Sequence, residues 1–292
     1  MSNRFHSIAI LVVATCLGCS AAMAQEAAPP AAGSVTGAAR QPLWELGIAA
    51  GFGTTADYPG SGRYHLRAIP FPYFIYRGNF FRSDQNGTRV RAAYTRNLEI
   101  DISGGASFAT HSSGSGPRTG MPDLDYLLEL GPKLKYIFAR PAPGVAWFTE
   151  IPLRAVISIG SGFGYRGLVF APNIGVRTVY LLGSPWAAYA DIGPEFASGR
   201  FQDYFYQVAA RYARPGRPAY NAHGGYFGSR LEAGLSRPIG KHFRIFFYSR
   251  LEDYNGAKNT NSPLFQTRLG YAGFIGFSWS FLHSDATVPI NE

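Results

Sequence analysis

Between Leu269 and Phe281 every second residue is apolar, and all but one are large: Leu269, Tyr271, Gly273, Ile275, Phe277, Trp279 and Phe281. The positions between them are Gly270, Ala272, Phe274, Gly276, Ser278 and Ser280, preceded by Gln266 and Arg268. A period of two places the two sets on opposite faces of one strand. A half-buried strand of a water-soluble sheet sustains this for about five or six residues. Here the stripe approaches the roughly 9–11 residues that a tilted strand needs to cross a bilayer. No segment after the N-terminal leader holds an apolar run long enough for a spanning helix. A closed barrel, in which every backbone group pairs with a neighbouring strand, is the remaining way to cross.

The rest of the chain repeats the pattern. Trp44, Leu46, Ile48, Ala50 and Phe52 share a face, as do Ile174, Val176, Thr178, Tyr180 and Leu182. Leu98, Ile100, Ile102, Ala106 and Phe108 oppose Glu99, Asp101, Ser103 and Ser107, and Phe243, Ile245 and Phe247 oppose His242, Arg244 and Arg250. Twelve candidate strands emerge, at 43–53, 65–76, 79–84, 88–95, 98–109, 125–139, 145–159, 168–182, 186–199, 225–237, 241–254 and 264–281. Short joins largely alternate with long polar ones at 54–64, 110–124, 200–224 and 255–263. Tight turns at one rim and long loops at the other characterise transmembrane barrels. Asn86-Gly87, a strong two-residue hairpin signal, breaks the alternation. The expected fold is an all-β, antiparallel transmembrane barrel of about twelve strands with both termini periplasmic. A soluble β-sandwich also alternates, but it does not place aromatics outward in so many segments.

The N-terminus reads as an export signal. Arg4 precedes the apolar stretch Ile8–Leu17, and Ala22-Met23-Ala24 offers a cleavage site before Gln25. Cys19 would be a lipidation site, but Leu17 stands one place too close to it. The domain plan is therefore 1–24 cleaved signal, 25–41 flexible periplasmic lead-in, 42–281 barrel and 282–292 short tail. Cys16 and Cys19 are the only cysteines of the 292 residues. The mature chain then has none, which excludes disulfides, thiolate zinc sites and cysteine nucleophiles. The formal charge of +9 raises a nucleic-acid partner. Export argues against that and favours lipid phosphates, lipopolysaccharide or murein as the anionic neighbours.

Charges recur on the faces opposite the apolar stripes: Asp191, Glu195, Arg230, Glu232, Arg244, Arg250, Glu252 and Arg268. They form a candidate lumen network, either ion-paired structure or channel lining. Gly162 to Gly167 matches G-x-G-x-x-G, but a strand follows it, where a dinucleotide site requires a helix. The run is read as a loop. His111-Ser112-Ser113-Gly114 has no supporting acid at a recognisable spacing, so no nucleophile–base pair is assigned. The six histidines show no metal-ligand spacing. No cofactor, metal or catalytic residue is expected. Arg211, Arg214 and Arg217 fall in the long 200–224 loop, read as solvated or as a contact for lipopolysaccharide phosphates or a surface ligand.

Gly276-Phe277-Ser278-Trp279-Ser280-Phe281 resembles the Gly-x-x-aromatic-x-aromatic ending read by the bacterial outer-membrane assembly machinery, with Gly276, Trp279 and Phe281 as its signal residues. A wider resemblance begins at Asp57-Tyr58-Pro59-Gly60-Ser61. Arg67, Pro70-Phe71-Pro72, Tyr76-Arg77-Gly78 and Phe80-Phe81-Arg82 continue it. Gly131-Pro132-Lys133-Leu134, Gly193-Pro194-Glu195, Glu232-Ala233-Gly234-Leu235 and Asn261-Ser262-Pro263-Leu264 complete it. Together these resemble the MipA/OmpV family over nearly the whole mature chain. The resemblance implies an outer-membrane barrel without established catalytic residues. In one member it implies a scaffold joining a lytic murein transglycosylase to a penicillin-binding protein. The expectation is a non-enzymatic envelope role, murein-enzyme scaffolding being its most specific form. A narrow pore is the alternative, and a lipid-modifying enzyme the third.

Overall fold

In the computed structural model the alternating segments become strands that pair in chain order. It describes residues 40–77, 81–84, 87–90, 93–95, 97–112, 116–240 and 242–289. The leader, the lead-in as far as residue 39, Gly78, Phe80, Asn86, Ser113, Gly114 and residues 290–292 lie outside the described residues. The strands are β1 (Arg40–Pro42), β2 (Trp44–Ala56), β3 (Tyr64–Arg77), β4 (Phe81–Asp84), β5 (Gly87–Val90), β6 (Ala93–Tyr94), β7 (Leu98–Ser107) and β8 (Tyr126–Ala142). They continue as β9 (Val145–Ile159), β10 (Gly164–Phe170), β11 (Asn173–Thr178), β12 (Ala187–Ala197), β13 (Gly225–Ile239), β14 (Phe243–Asp253), β15 (Leu269–His283) and β16 (Thr287–Pro289). An eight-residue α-helix, α1 (Gly199–Tyr206), follows β12.

Each main strand pairs antiparallel with its neighbour, and the closing strand β15 pairs with β2 through Gly276↔Gly51 and Trp279↔Ile48. β5 pairs with β4 and β6 with β7, so the two ends of the sheet are the consecutive segments 87–90 and 93–94. β10 and β11 form one row between β9 and β12. The break between them falls at Ala171-Pro172, where proline has no amide to give the ladder. With these two pairs of segments joined, the sheet has twelve staves.

Alternation sorts the side chains inside out. Ile48, Phe52, Trp147, Ile151, Ile192, Leu231, Leu251, Ile275 and Phe277 are exposed on the outer face. Their inward neighbours Ala49, Phe148, Val156, Phe246, Tyr248, Ala272 and Phe274 are buried. No helix among the described residues is long and apolar enough to cross a membrane.

Several boundaries differ from the sequence expectation. β15 begins at Leu269, leaving 264–268 in a loop, and continues past Phe281 to His283. The tail then returns: the Ser284 amide donates to Trp44 O and the Leu43 amide to Ala286 O, and β16 pairs with β1. The end of the lead-in and the tail therefore make a two-stranded ribbon at the rim of the tight turns. Gly164 to Gly167 lie in β10, so only the start of the glycine run is loop. The largest correction concerns 200–224, which is a folded cap rather than a solvated loop.

Candidate functional site

The interior holds two distinct regions. Toward the rim of the long loops lies an apolar plug. α1 places Phe201, Gln202, Phe205 and Tyr206 on one buried stripe, the spacing of an amphipathic helix. Phe201 meets Phe205 edge-on at 5.2 Å and Phe227 at 5.4 Å. Leu127, Val156, Val169, Ala171 and Ala197 complete the cluster from the wall.

Four loops are tied together over this core. Tyr206 donates its hydroxyl to Pro59 O at 3.0 Å, and its own carbonyl accepts from Ser262 Oγ at 2.8 Å. Tyr58 donates to Leu264 O at 2.7 Å, and the Gln266 amide donates to Gly60 O at 2.8 Å. Two motifs of the family resemblance, 57–61 and 261–264, thus meet on the end of α1. Gly60 has φ +75°, and a Cβ there would stand 2.6 Å from the Phe265 ring, so both backbone and packing require glycine. Burial pushes the Tyr58 hydroxyl up to about 12 and holds that of Tyr206 well above its ordinary value.

Polar residues complete the plug. Asn259 donates to Gln202 Oε1 and to His223 O, and its own Oδ1 accepts from the His223 amide. Gln202 donates to Ala197 O and Gly225 O. Arg118 reaches Phe205 O at 2.9 Å. Arg217, expected in a solvated loop, is buried, and its guanidinium donates to the carbonyls of Pro117, Thr119 and Tyr212. Arg211 and Arg214 remain exposed.

Below the plug, ion pairs between adjacent strands line the lumen wall. Arg230 lies 3.6 Å from Glu195 and 3.3 Å from Glu232, and Arg250 lies 2.8 Å from Glu232 and 3.9 Å from Glu252. Tyr248 donates to Glu232 at 3.0 Å, and Tyr254 to Glu252 at 2.8 Å. Strand register builds the ladder: Glu232 stands opposite both Asp191 and Arg250, and Arg230 opposite Glu252. Of the other expected members, Arg244 stands further along β14, opposite Ser278. Arg268 is not part of the ladder. It is exposed before β15, where its guanidinium reaches Asn255 Oδ1 at 3.5 Å.

A second cluster, which the sequence reading missed, joins Glu150 to Lys133 at 3.2 Å and to Lys135 at 3.1 Å. Arg154 pairs with Glu129 at 3.4 Å. The signal was available, since Glu129, Lys133 and Lys135 share the face opposite Leu128, Leu130, Leu134 and Tyr136.

The remaining sequence-derived residues are placed as follows. Arg67 lies 4.5 Å over the Phe108 ring, and Pro70 and Pro72 stand opposite Ala50 and Ile48 on the outer face. Asp57 holds His65 at 2.8 Å, and the Ser61 hydroxyl accepts from the Arg63 amide. Gly276 is pressed against Ala50 O and the Phe246 ring, and Trp279 lies 5.8 Å from Phe281. His111 does have an acid in space, Asp123, at 2.8 Å from Nδ1. The amide of Ser112 and His111 hold that carboxyl below the usual carboxylate range. Ser112 Oγ, however, donates to Pro122 O, so it is not presented to the histidine. Among the described residues no group of three His, Asp or Glu is arranged to hold a metal.

A closed antiparallel barrel that is apolar outside and charged inside defines an outer-membrane protein. The chain belongs to the MipA family: the profile described as MltA-interacting protein MipA matches residues 46–281. No curated protein sequence matches it significantly.

Among solved structures it is similar to the NanC porin, with 9% identity, TM-score 0.37, and coverage of 80% of this chain and 98% of that one. It is also similar to outer membrane phospholipase A from Escherichia coli, with 12% identity, TM-score 0.36, and coverage of 91% and 97%. OprG from Pseudomonas aeruginosa is a further likeness, with 12% identity, TM-score 0.23, and coverage of 83% and 98%. At these scores the likenesses carry no weight for function, and the barrel rests on its own strand register.

Proposed function

We propose that this protein is a non-enzymatic outer-membrane platform that docks a murein-cleaving transglycosylase at its turn rim, bringing a murein-synthesising enzyme alongside. The observation that carries this reading is the plug. A lumen filled by α1 and lined by the paired charges Arg230–Glu195 and Arg250–Glu232 favours binding over conduction. At the loop rim Tyr58, Tyr206 and Arg217 are engaged in the plug's own contacts. At the turn rim the lead-in and tail pair as the β1–β16 ribbon, on the side where an even-stranded barrel would face the periplasm. The family's own description names a transglycosylase partner.

The test is co-purification. Full-length protein extracted in mild detergent should retain an MltA-type transglycosylase. Truncation after Asp285 should release that enzyme while the barrel still migrates as a folded, heat-modifiable band. Stepwise conductance in planar bilayers without any retained transglycosylase would replace this reading with a narrow pore.

A further inference from the structure

The turn between β11 and β12 carries a residue that neither its backbone nor water favours. Residues 181–184 form a tight turn closed by the Ser184 amide on Leu181 O at 3.0 Å. Its two central residues both have positive φ, 52° at Leu182 and 73° at Gly183. This is the type I′ geometry, whose first central position is dominated by Asn, Asp and Gly. Leu182 is the one non-glycine residue of positive φ among the described residues, and its side chain is 97% exposed. The left-handed conformation crowds a leucine Cβ against the following carbonyl, and water gives nothing back for the exposed isobutyl group. Something other than the turn and the solvent accounts for leucine at this position.

The surroundings indicate what that is. Leu182 continues the outward row of Ile174 and Tyr180, both exposed. Trp186, just after the turn, packs 6.0 Å from the outward-facing Phe247, and the Arg237 guanidinium lies 5.7 Å over the Trp186 ring. Tyr and Trp with a flanking Arg are the composition of a membrane–water interface. We propose that Leu182 is a wedge that enters the phospholipid leaflet at the turn rim. Tyr180 and Trp186 then sit at headgroup depth, and Arg237 beside the lipid phosphates. The contact is with lipid, so it stands whether or not the docking reading above holds.

The full chain, with Cys16→Ser and Cys19→Ser and a nitroxide on Leu182→Cys, is folded into vesicles of phosphatidylethanolamine and phosphatidylglycerol. The wedge predicts that the label collides with oxygen more than with a water-soluble nickel chelate, as a label on Phe247→Cys should. Nickel accessibility equal to that of a label on Arg214→Cys would overturn it, as would shielding from both reagents, which marks a protein contact. Leu182→Asn supplies a second reading, because asparagine suits the turn better. The wedge predicts a lower urea midpoint for this variant in vesicles, and an equal or higher midpoint overturns the proposal.

Discussion

The plug and the ladder beneath it fill the same barrel by opposite means. The plug is apolar and aromatic, and its polar atoms are met mainly by backbone carbonyls contributed by four separate loops. The ladder is charged, and its partners are side chains on adjacent strands held by register. Burial of an aromatic core is non-directional and tolerates distant contributors, whereas an ion pair out of water needs its partner at a fixed place. The plug should therefore fail as a local unit. The ladder should fail with the wall.

The largest effect expected from that contrast is at the plug. Tyr206→Ala removes a fully buried ring and leaves Pro59 O without its donor, at a cost of about 3–5 kcal/mol. Hydrogen exchange should rise across 57–63, 199–224 and 254–266 while β13–β15 stay protected. Loss of protection in the wall as well would make plug and barrel a single cooperative unit.

Next is Glu232→Leu, which removes the carboxylate shared by Arg230 and Arg250, leaving them Glu195 and Glu252, and should cost about 3 kcal/mol in urea unfolding from vesicles. Its neighbour offers the opposite test. Ala233→Arg puts a charge on the outer face and should cost about 2 kcal/mol near the middle of the wall. If Ala233→Arg is harmless and Glu232→Leu is neutral or stabilising, the two faces of β13 have been exchanged by one register step.

A smaller effect is expected at Gly60→Ala, about 1–2 kcal/mol for a left-handed backbone, with the Phe265 ring displaced besides. It should show as faster proteolysis of the loops with an unchanged barrel band. The mildest test is pH. Tyr58 binds its proton more tightly folded than unfolded, so its contribution is complete below its ordinary value of 10.0 and is lost as pH rises toward about 12. Hydrogen exchange in the plug, referred to that of the wall, should stay level from neutral pH to about 9 and rise above 10. A change already complete at pH 9 would mean that this hydroxyl is not buried.

The wall was readable from local pattern because its information is local. Period two fixes which side of a strand faces in, so Ile275 against Phe274, or Leu231 against Glu232, needs no knowledge of the partner strand. The same pattern misjudged ends and breaks. Pro172 splits one stave, and the tail pairs back on Arg40–Pro42, since pairing is decided by what lies alongside.

The plug was not readable. α1 has only eight residues, too few to hold together without packing, and its sequence carries two charges and a glycine that read as loop. Arg217 looks solvated in sequence because arginine is seldom buried unpaired, yet three backbone carbonyls gathered by the fold satisfy it. The sequence by itself determined a twelve-stave barrel and the faces its charges occupy. Only the tertiary structure brought Pro59, Tyr206 and Ser262 together, because contacts between residues so far apart exist only once the barrel has closed around them.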